Sequence, residues 1–167
     1  MNSKQDEIKL FYQRTLSVWE GFCQFHKELY DLTCEEYMTL LESDIDKLEG
    51  MLSQKEELIS KIAILEKDRS ELIEQINHRD LFQIKILKAS ELLGAFADLE
   101  SKVGIPALKN LNSLLIDIIQ KIQEQNKKNQ QFLNKAMHSL KEVKQGFSGK
   151  KTYTTYGADG MTRAFGR

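Results

Sequence analysis

The residues with the most evident potential for metal chemistry are two cysteines and two histidines. Cys23 and His26 stand three residues apart, which places both on one face of a helix, and Cys34 and His78 are further candidates. A structural zinc site takes four ligands from closely spaced Cys or His pairs, and the sequence has no second such pair. Free cysteines are commonly buried as small apolar residues. We therefore expect packed or surface side chains here, with no metal and no cofactor.

Other sequence patterns that carry chemistry are also missing. A di-metal helical bundle needs Glu-x-x-His, but the residue three before each histidine is Cys23, Gln75 or Lys135. The sequence has no nucleophile elbow, P-loop or dinucleotide fingerprint. The G-x-x-G at Gly157 and Gly160 follows no predicted strand and precedes no predicted helix. The sequence therefore predicts a protein that is not an enzyme.

A group of amides interrupts the longest apolar heptad of the chain. The heptad runs from Leu108 to Phe147 and contains Gln125, Asn126 and Asn129 where the pattern favours leucine or isoleucine. Amides in a helical seam reduce stability and usually fix register or partner choice. Amides in a solvated stretch of a bundle would give the same pattern. Periodicity alone leaves both interpretations open.

Beyond these amides the apolar positions continue for about four more turns. They are Phe132, Leu133, Ala136, Met137, Leu140, Val143 and Phe147. If the helix extends past its neighbours, this face stays exposed, and exposed apolar faces mark interaction sites. Methionine suits an adaptable binding surface. We take these residues, together with Asn126 and Asn129, as candidates for binding another protein.

The elements that position these residues are predicted to be helices. The chain has one proline and nine glycines, and five of the glycines lie at or after Gly146. Few residues remain for the turns that strands require, so the fold class is all-α. Apolar periodicity and helix-end signals predict these segments: helices over 5–42 and 45–77, one or two shorter helices over 81–102, and a last helix from Pro106 to Gly146.

Three long helices with short joints predict an elongated antiparallel three-helix bundle with coiled-coil-like packing. We expect two domains: a helical bundle over 1–147 that includes the partner-binding last helix, and a flexible, basic, Gly- and Tyr-bearing tail over 148–167. Glycine-rich polar ends are often disordered. However, Tyr153, Tyr156, Met161 and Phe165 are unusual in an inert linker and are typical of a motif that docks on a partner. Both interpretations of the tail remain open.

Two helical patterns bear on packing. The first helix has two adjacent apolar stripes, so it contacts two neighbours or keeps one face for a partner. The stripes are Ile8, Phe11, Thr15, Val18, Phe22, Phe25, Leu29 and Leu32, and Tyr12, Leu16, Trp19, Cys23, His26 and Tyr30. In the second helix, Ile45, Leu48, Leu52, Lys55, Ile59 and Ile62 follow a heptad, and Leu65 then comes one residue early. That early step predicts a stammer, which overwinds a coiled coil locally.

Charge and targeting signals exclude several classes of partner. The net charge of −1 gives no bias toward nucleic acid, and the doublets at 127–128 and 150–151 lack an aromatic–basic platform. No signal peptide and no membrane-spanning run is evident. Cys23 and Cys34 would lie about 16 Å apart on one helix, which is too far for a disulfide. We therefore expect a cytoplasmic protein with no membrane insertion and no nucleic acid partner.

As a whole, the pattern resembles the flagellar export chaperones of the FlgN type. The motifs that carry the resemblance are the acid-rich joint at 41–44, K-E-E-L at 55–58, L-E-K-D-R at 65–69, N-K-K-N at 126–129 followed by Leu133, and Y-G-A-D-G at 156–160. The resemblance covers the chain from about Leu32 to Gly160. Ser43 departs from the pattern, since the family often has glycine there, and 81–105 contains no family motif.

This resemblance implies a cytosolic, non-enzymatic chaperone for hook–filament junction subunits, also called hook-associated proteins. It implies that the last helix covers an amphipathic terminal helix of such a subunit and that the complex reaches the export gate of the flagellar type III apparatus. Tyr153, Tyr156, Gly157 and Gly160 are the candidates for docking on that gate. The alternative is a structural coiled-coil protein that self-associates into a homo-oligomer and has no client.

Overall fold

The computed structural model describes residues 3–147 and two segments of the tail, 153–156 and 162–165. The helices are α1 (Ser3–Glu42), α2 (Ile45–His78), α3 (Ala89–Val103) and α4 (Ala107–Phe147), and the strands are β1 (Tyr153–Tyr156) and β2 (Thr162–Phe165). Three long helices and a shorter one confirm the predicted all-α class. The chain divides into two units, residues 1–126 and residues 127–167.

The hydrophobic core of residues 1–126 draws on every helix and on the segment between α2 and α3. Its members are Phe11, Val18, Trp19, Phe22, Leu72, Ile76, Leu81, Ile86, Leu92, Phe96 and Leu108. Both stripes of α1 are used. Lys61 of α2 lies over the Phe25 ring of the first stripe, while Trp19 of the second donates to Asn112 Oδ1 of α4 at 3.1 Å. The wide apolar arc of α1 therefore contacts two neighbours.

The turn between α1 and α2 has only two residues. Backbone hydrogen bonds close the end of α1, and the Asp44 side chain caps the start of α2. The Ser43 and Asp44 amides donate to the carbonyl oxygens of Leu40 and Thr39, which closes α1 with a left-handed residue at Ser43, φ 57°. The Asp44 carboxylate then accepts from the Lys47 amide at 3.0 Å and caps α2. Glycine adopts this φ without strain, so the departure at Ser43 falls on a position that favours glycine.

The seam of α2 differs from the predicted one. An unbroken 3-4 repeat of buried and half-buried positions runs through Leu48, Met51, Lys55, Leu58, Ile62, Leu65, Arg69, Leu72 and Ile76, and Lys61, Ile73 and Asn77 are half-buried beside it. The predicted stammer is therefore wrong, and it arose because Leu52 and Ile59 were placed in the seam instead of Met51 and Leu58. Lys55 belongs to the seam because it forms a half-buried ion pair with Glu36 of α1.

Residues 79–88 between α2 and α3 are not helical, although their side chains complete the core. The Asn77 side-chain amide donates to the Ile86 carbonyl at 2.7 Å and accepts from the Ile86 amide at 2.8 Å. This pair holds the segment in place while Leu81 and Ile86 are buried. The shorter helix predicted within 81–102 therefore begins only at Ala89.

Glu100 of α3 fixes the start of α4. Its carboxylate is buried and accepts from the Tyr12 hydroxyl at 2.8 Å and from the Leu108 amide in the first turn of α4. That amide has no partner within its own helix, so the carboxylate satisfies a donor that would otherwise be lost. Gly104, at φ 76°, ends α3 and donates to the Glu100 carbonyl at 2.8 Å. The predicted start of the last helix near Pro106 is confirmed.

In the tail, β1 and β2 pair antiparallel, with Tyr153 opposite Phe165 and Tyr156 opposite Thr162. Threonine and tyrosine are favourable strand residues, which fits the YTTY sequence of β1. The sequence predicted no strands in this segment. Within residues 3–147, no helix combines the length and the apolar content that crossing a bilayer requires.

Candidate partner-binding surface

The second half of α4 exposes most of its apolar side chains. Met137, Leu140, Val143 and Phe147 are between 53 % and 81 % exposed. Ala136 is exposed as well, whereas Phe132 and Leu133 are half-buried. We call these seven residues the C-terminal stripe. Scattered surface leucines are ordinary, but a row of large apolar residues on one helix marks an interaction site.

Helix geometry places the C-terminal stripe on one face. At 100° per residue, the seven side chains fall within an arc of about 140°, from Phe132 at one edge to Met137 at the other. From Phe132 to Phe147 the stripe is about 22 Å long, at 1.5 Å per residue. An arc and length of this size match one helix of a partner lying along α4.

The two asparagines differ in their burial. Asn129 is 2 % exposed, in register with the buried positions Ile118, Ile122 and the half-buried Gln125 before it. Asn126 is exposed. The apolar seam therefore includes the amide of Asn129, and Asn126 does not belong to it. Helical periodicity explains the difference, since Asn129 follows Gln125 by four residues and Asn126 follows it by one.

The charges beside the C-terminal stripe are almost all positive. Residues 127–147 contain five lysines (Lys127, Lys128, Lys135, Lys141 and Lys144) and one acid, Glu142, which gives a net charge of +4. Glu142 lies 3.9 Å from His138 Nε2. On a larger scale, residues 1–126 hold 15 basic and 23 acidic residues, net −8, and residues 127–167 hold 9 basic and 2 acidic, net +7. A division at residue 148, between helical bundle and basic tail, does not reveal that the excess of positive charge begins within α4.

The first half of α4 is held by polar contacts as well as by the core. Besides the contact of Glu100 with the Leu108 amide, the Cys23 thiol donates to the Leu111 carbonyl at 3.3 Å. Burial, followed by the hydrogen bond to Glu100, raises the pKa of the Tyr12 hydroxyl to about 12. Burial, with a contribution from Glu20, also raises the pKa of the Cys23 thiol, so this thiol stays protonated at neutral pH. These groups position α4.

The candidate metal ligands are dispersed in the structure. His26 Nδ1 donates to the Phe22 carbonyl at 2.7 Å, while the Cys23 thiol is occupied with Leu111. Cys34 is a half-buried free thiol and His78 is exposed at the end of α2. In the part of the chain that the structure describes, no three His, Cys, Asp or Glu side chains come close enough to hold a metal ion.

A second exposed apolar row lies on α2. Ile45, Leu52 and Ile59 are spaced seven residues apart and are all more than half exposed. The predicted heptad placed these residues in the seam. The 3-4 repeat through Met51 and Leu58 is the sequence signal that separates the seam from this exposed row. Leu52 and Ile59 directly follow the seam residues Met51 and Leu58, so they border the interface with α1.

The docking candidates of the tail are described only in part. Tyr153 begins β1 and Tyr156 ends it. Gly157 and Gly160 lie outside the described residues. Both tyrosines therefore belong to one short strand, and the docking role assigned to them stays a prediction.

Comparison with known families gives one match. A family model described as FlgN protein matches residues 13–164 of the chain. The match begins within α1, spans α2, α3, α4 and most of the tail, and includes the entire C-terminal stripe. Among curated proteins and solved structures, none matches the chain significantly.

Proposed function

The chain belongs to the FlgN family of flagellar type III export chaperones, and we propose that its C-terminal stripe binds the amphipathic terminal helices of hook–filament junction subunits. Such helices polymerise when they are exposed, so covering them prevents premature assembly. The chaperone would act in the cytoplasm and deliver its client to the export gate. The observation that carries the proposal is the exposed stripe from Phe132 to Phe147 on a helix whose first half is fixed in a core.

Helix binding of this kind needs an apolar face with 3-4 spacing on a rigid support. Ala136, Leu140, Val143 and Phe147 follow that spacing. Leu108, at the start of the same helix, is fully buried, so the helix is anchored before it presents its exposed positions. An anchored, preformed helix loses little conformational freedom on binding, which favours affinity.

The first test changes the centre of the stripe. Leu140→Asp should weaken binding of a purified junction subunit by at least about 30-fold, because it places a charge in a desolvated contact. Leu140 is 70 % exposed, so the helical circular dichroism signal should not change. Isothermal titration calorimetry measures the affinity.

Leu114→Asp is the matched control, since Leu114 is an exposed leucine in the first half of the same helix. It should bind the client as the unmodified chain does. Equal loss of binding in both variants would show that a charge anywhere on α4 is sufficient. Unchanged binding by Leu140→Asp would remove the C-terminal stripe from the client site.

The second test separates client binding from delivery. Deleting residues 150–167 removes Tyr153, Tyr156, Gly157 and Gly160, the predicted gate-docking residues, and leaves the stripe intact. Client affinity should be unchanged, whereas secretion of junction subunits in cells should fall. A loss of affinity in the truncated chain would mean that the tail contributes to the client site and that the two roles are not separate.

A self-associating coiled coil is the second candidate, and the row of Ile45, Leu52 and Ile59 on α2 is the observation that favours it. A row with one large apolar residue per heptad could close against another copy of the chain. Sedimentation of the purified chain distinguishes the two functions. A stable oligomer that buries residues 132–147 and ignores junction subunits would contradict the chaperone proposal.

A further inference from the structure

We propose that the C-terminal stripe selects an amphipathic helix whose apolar face is flanked by acidic residues. The proposal deepens the function proposed above and rests on it, since it specifies the chemistry of the partner that the stripe takes. It follows from the positions of the lysines around the stripe, which the spacing of the apolar residues does not reveal.

Lysines border the stripe along both edges. Lys135 follows Phe132 by three residues at one edge, and Lys141 follows Met137 by four at the other. Residues three or four apart on a helix are neighbours, so each ammonium group lies beside an apolar side chain of the stripe. Lys144 follows Leu140 by four residues and adds a third charge near the C-terminal end of the stripe, on the side of Met137.

These lysines are available to a partner. All three are exposed. Within residues 3–147 the ion pairs involve other residues, and Glu142, the one acid near the stripe, lies near His138. A helix that lay along the stripe would therefore meet unpaired positive charge at both sides of its own apolar face. Acidic flanks complement that charge, whereas basic flanks would be repelled.

A basic amphipathic helix can also bind an anionic membrane surface. Attraction to an anionic bilayer would come from the +4 of residues 127–147 alone, because exposed charges act over only about 8–10 Å and residues 1–126, at −8, add no attraction. Phe132, Leu133, Leu140 and Phe147 are residue types that suit a lipid interface as well as a partner helix, so charge decides between the two. The observations favour a protein helix over a lipid surface.

The test uses three synthetic 18-residue helical peptides with one shared Leu/Ala stripe and flanks of only Glu, only Gln or only Lys. Fluorescence anisotropy measures their binding to the full chain. We expect the Glu peptide to bind about tenfold more tightly than the Gln peptide, because several exposed ion pairs act together, and the Lys peptide to bind most weakly. The preference should shrink at high salt, which screens exposed charges. Equal affinity for the Glu and Gln peptides would overturn the proposal.

Charge reversal gives the sharper version of this test. The triple variant Lys135→Glu, Lys141→Glu, Lys144→Glu should reverse the order, so that the Lys peptide binds best. If that variant loses helicity, Lys141→Gln with Lys144→Gln serves instead and should reduce the difference between the Glu and Gln peptides. An unchanged preference for the Glu peptide in either folded variant would show that other residues read the charge.

Two further measurements separate failure of the inference from failure of the proposed function. Leu140→Asp should abolish Glu-peptide binding, and binding that survives this change would place the peptide away from the stripe and contradict the function itself. Loss of binding in Leu140→Asp without any charge preference would overturn only the inference. Cosedimentation with phosphatidylserine–phosphatidylcholine vesicles that the triple reversal abolishes, combined with no preference for the Glu peptide, would assign the lysines to a lipid surface.

Discussion

The two halves of α4 have the same apolar spacing and opposite exposure. In residues 107–126, Leu108, Ile118 and Ile122 are buried in the core of their unit or close to it. In residues 127–147, large apolar residues at the same 3-4 spacing are mostly exposed. Charge changes along with exposure, because net charge is −8 over residues 1–126 and +7 over residues 127–167.

This difference separates what folds the chain from what the chain binds. Apolar area removed from water in the first half contributes to the free energy of folding. In the second half the same side chains contribute little until a partner covers them. The transition falls near Asn129, which is buried although polar, and Met137, which is exposed although apolar. A variant in one half should therefore change one property and leave the other unchanged.

The largest expected effect is the difference in stability loss between a leucine truncated in the first half of α4 and a leucine truncated in the second half. Leu108→Ala removes a fully buried side chain and should lower the free energy of unfolding by about 2–5 kcal/mol. Leu140→Ala removes an exposed one and should change it by no more than about 0.5 kcal/mol. Urea unfolding followed by circular dichroism measures both. Similar losses in the two variants would mean that the stripe is part of the folded core and would end the comparison.

The sequence predicted the helices well because the helix-end signals are local. Asp44 caps α2 through its own side chain, and Gly104 and Pro106 separate α3 from α4. The exposed face from Ala136 to Phe147 could also be predicted, since the spacing continues after the amides. The sequence predicted an exposed face only if these positions stay uncovered, and the structure shows that Met137, Leu140, Val143 and Phe147 are exposed.

The sequence failed where two equally apolar residues are adjacent. Met51 and Leu52 are both apolar, and only the continuation of the 3-4 repeat through Leu58 and beyond Ile62 shows that Met51 is the buried one. The sequence placed Lys55 in the seam but did not explain a charged residue there. The structure explains it by the ion pair with Glu36 of α1. The non-helical structure of the segment before α3 could not be predicted either. The side-chain amide of Asn77 holds Ile86 through contacts that no local sequence pattern encodes.

An intermediate effect is expected from Tyr12, which helps to anchor the first half of α4 through Glu100. Tyr12→Phe removes one hydrogen bond to a buried carboxylate and should cost about 1–2 kcal/mol at neutral pH. The raised pKa of Tyr12, about 12, means that the folded state favours the protonated hydroxyl. This contribution is fully present below the unfolded pKa near 10 and is lost as pH rises through the folded pKa.

The stability difference between the unmodified chain and Tyr12→Phe should therefore narrow between about pH 10 and pH 12. Urea midpoints of both chains across that range measure the difference, and other groups that titrate there cancel between the two chains. A difference that stays constant with pH would mean that the Tyr12 hydroxyl contributes by packing and not through its proton. Client affinity at neutral pH should be equal in both chains, since the stripe is unchanged.

The smallest expected effect comes from a variant that should raise stability and leave client binding unchanged. Ser43 holds a left-handed conformation, φ 57°, which costs a non-glycine residue energy that glycine does not lose. Ser43→Gly should raise the free energy of unfolding by about 0.5–1 kcal/mol, because the relief of strain exceeds the extra freedom that glycine gives the unfolded chain. Client affinity should not change. Together with Leu140→Asp, which should lose binding and keep stability, this variant completes a reciprocal pair. If Ser43→Gly altered affinity as well, the exposed half of α4 would depend on how firmly residues 1–126 are folded, and its stripe would not be an independent binding surface.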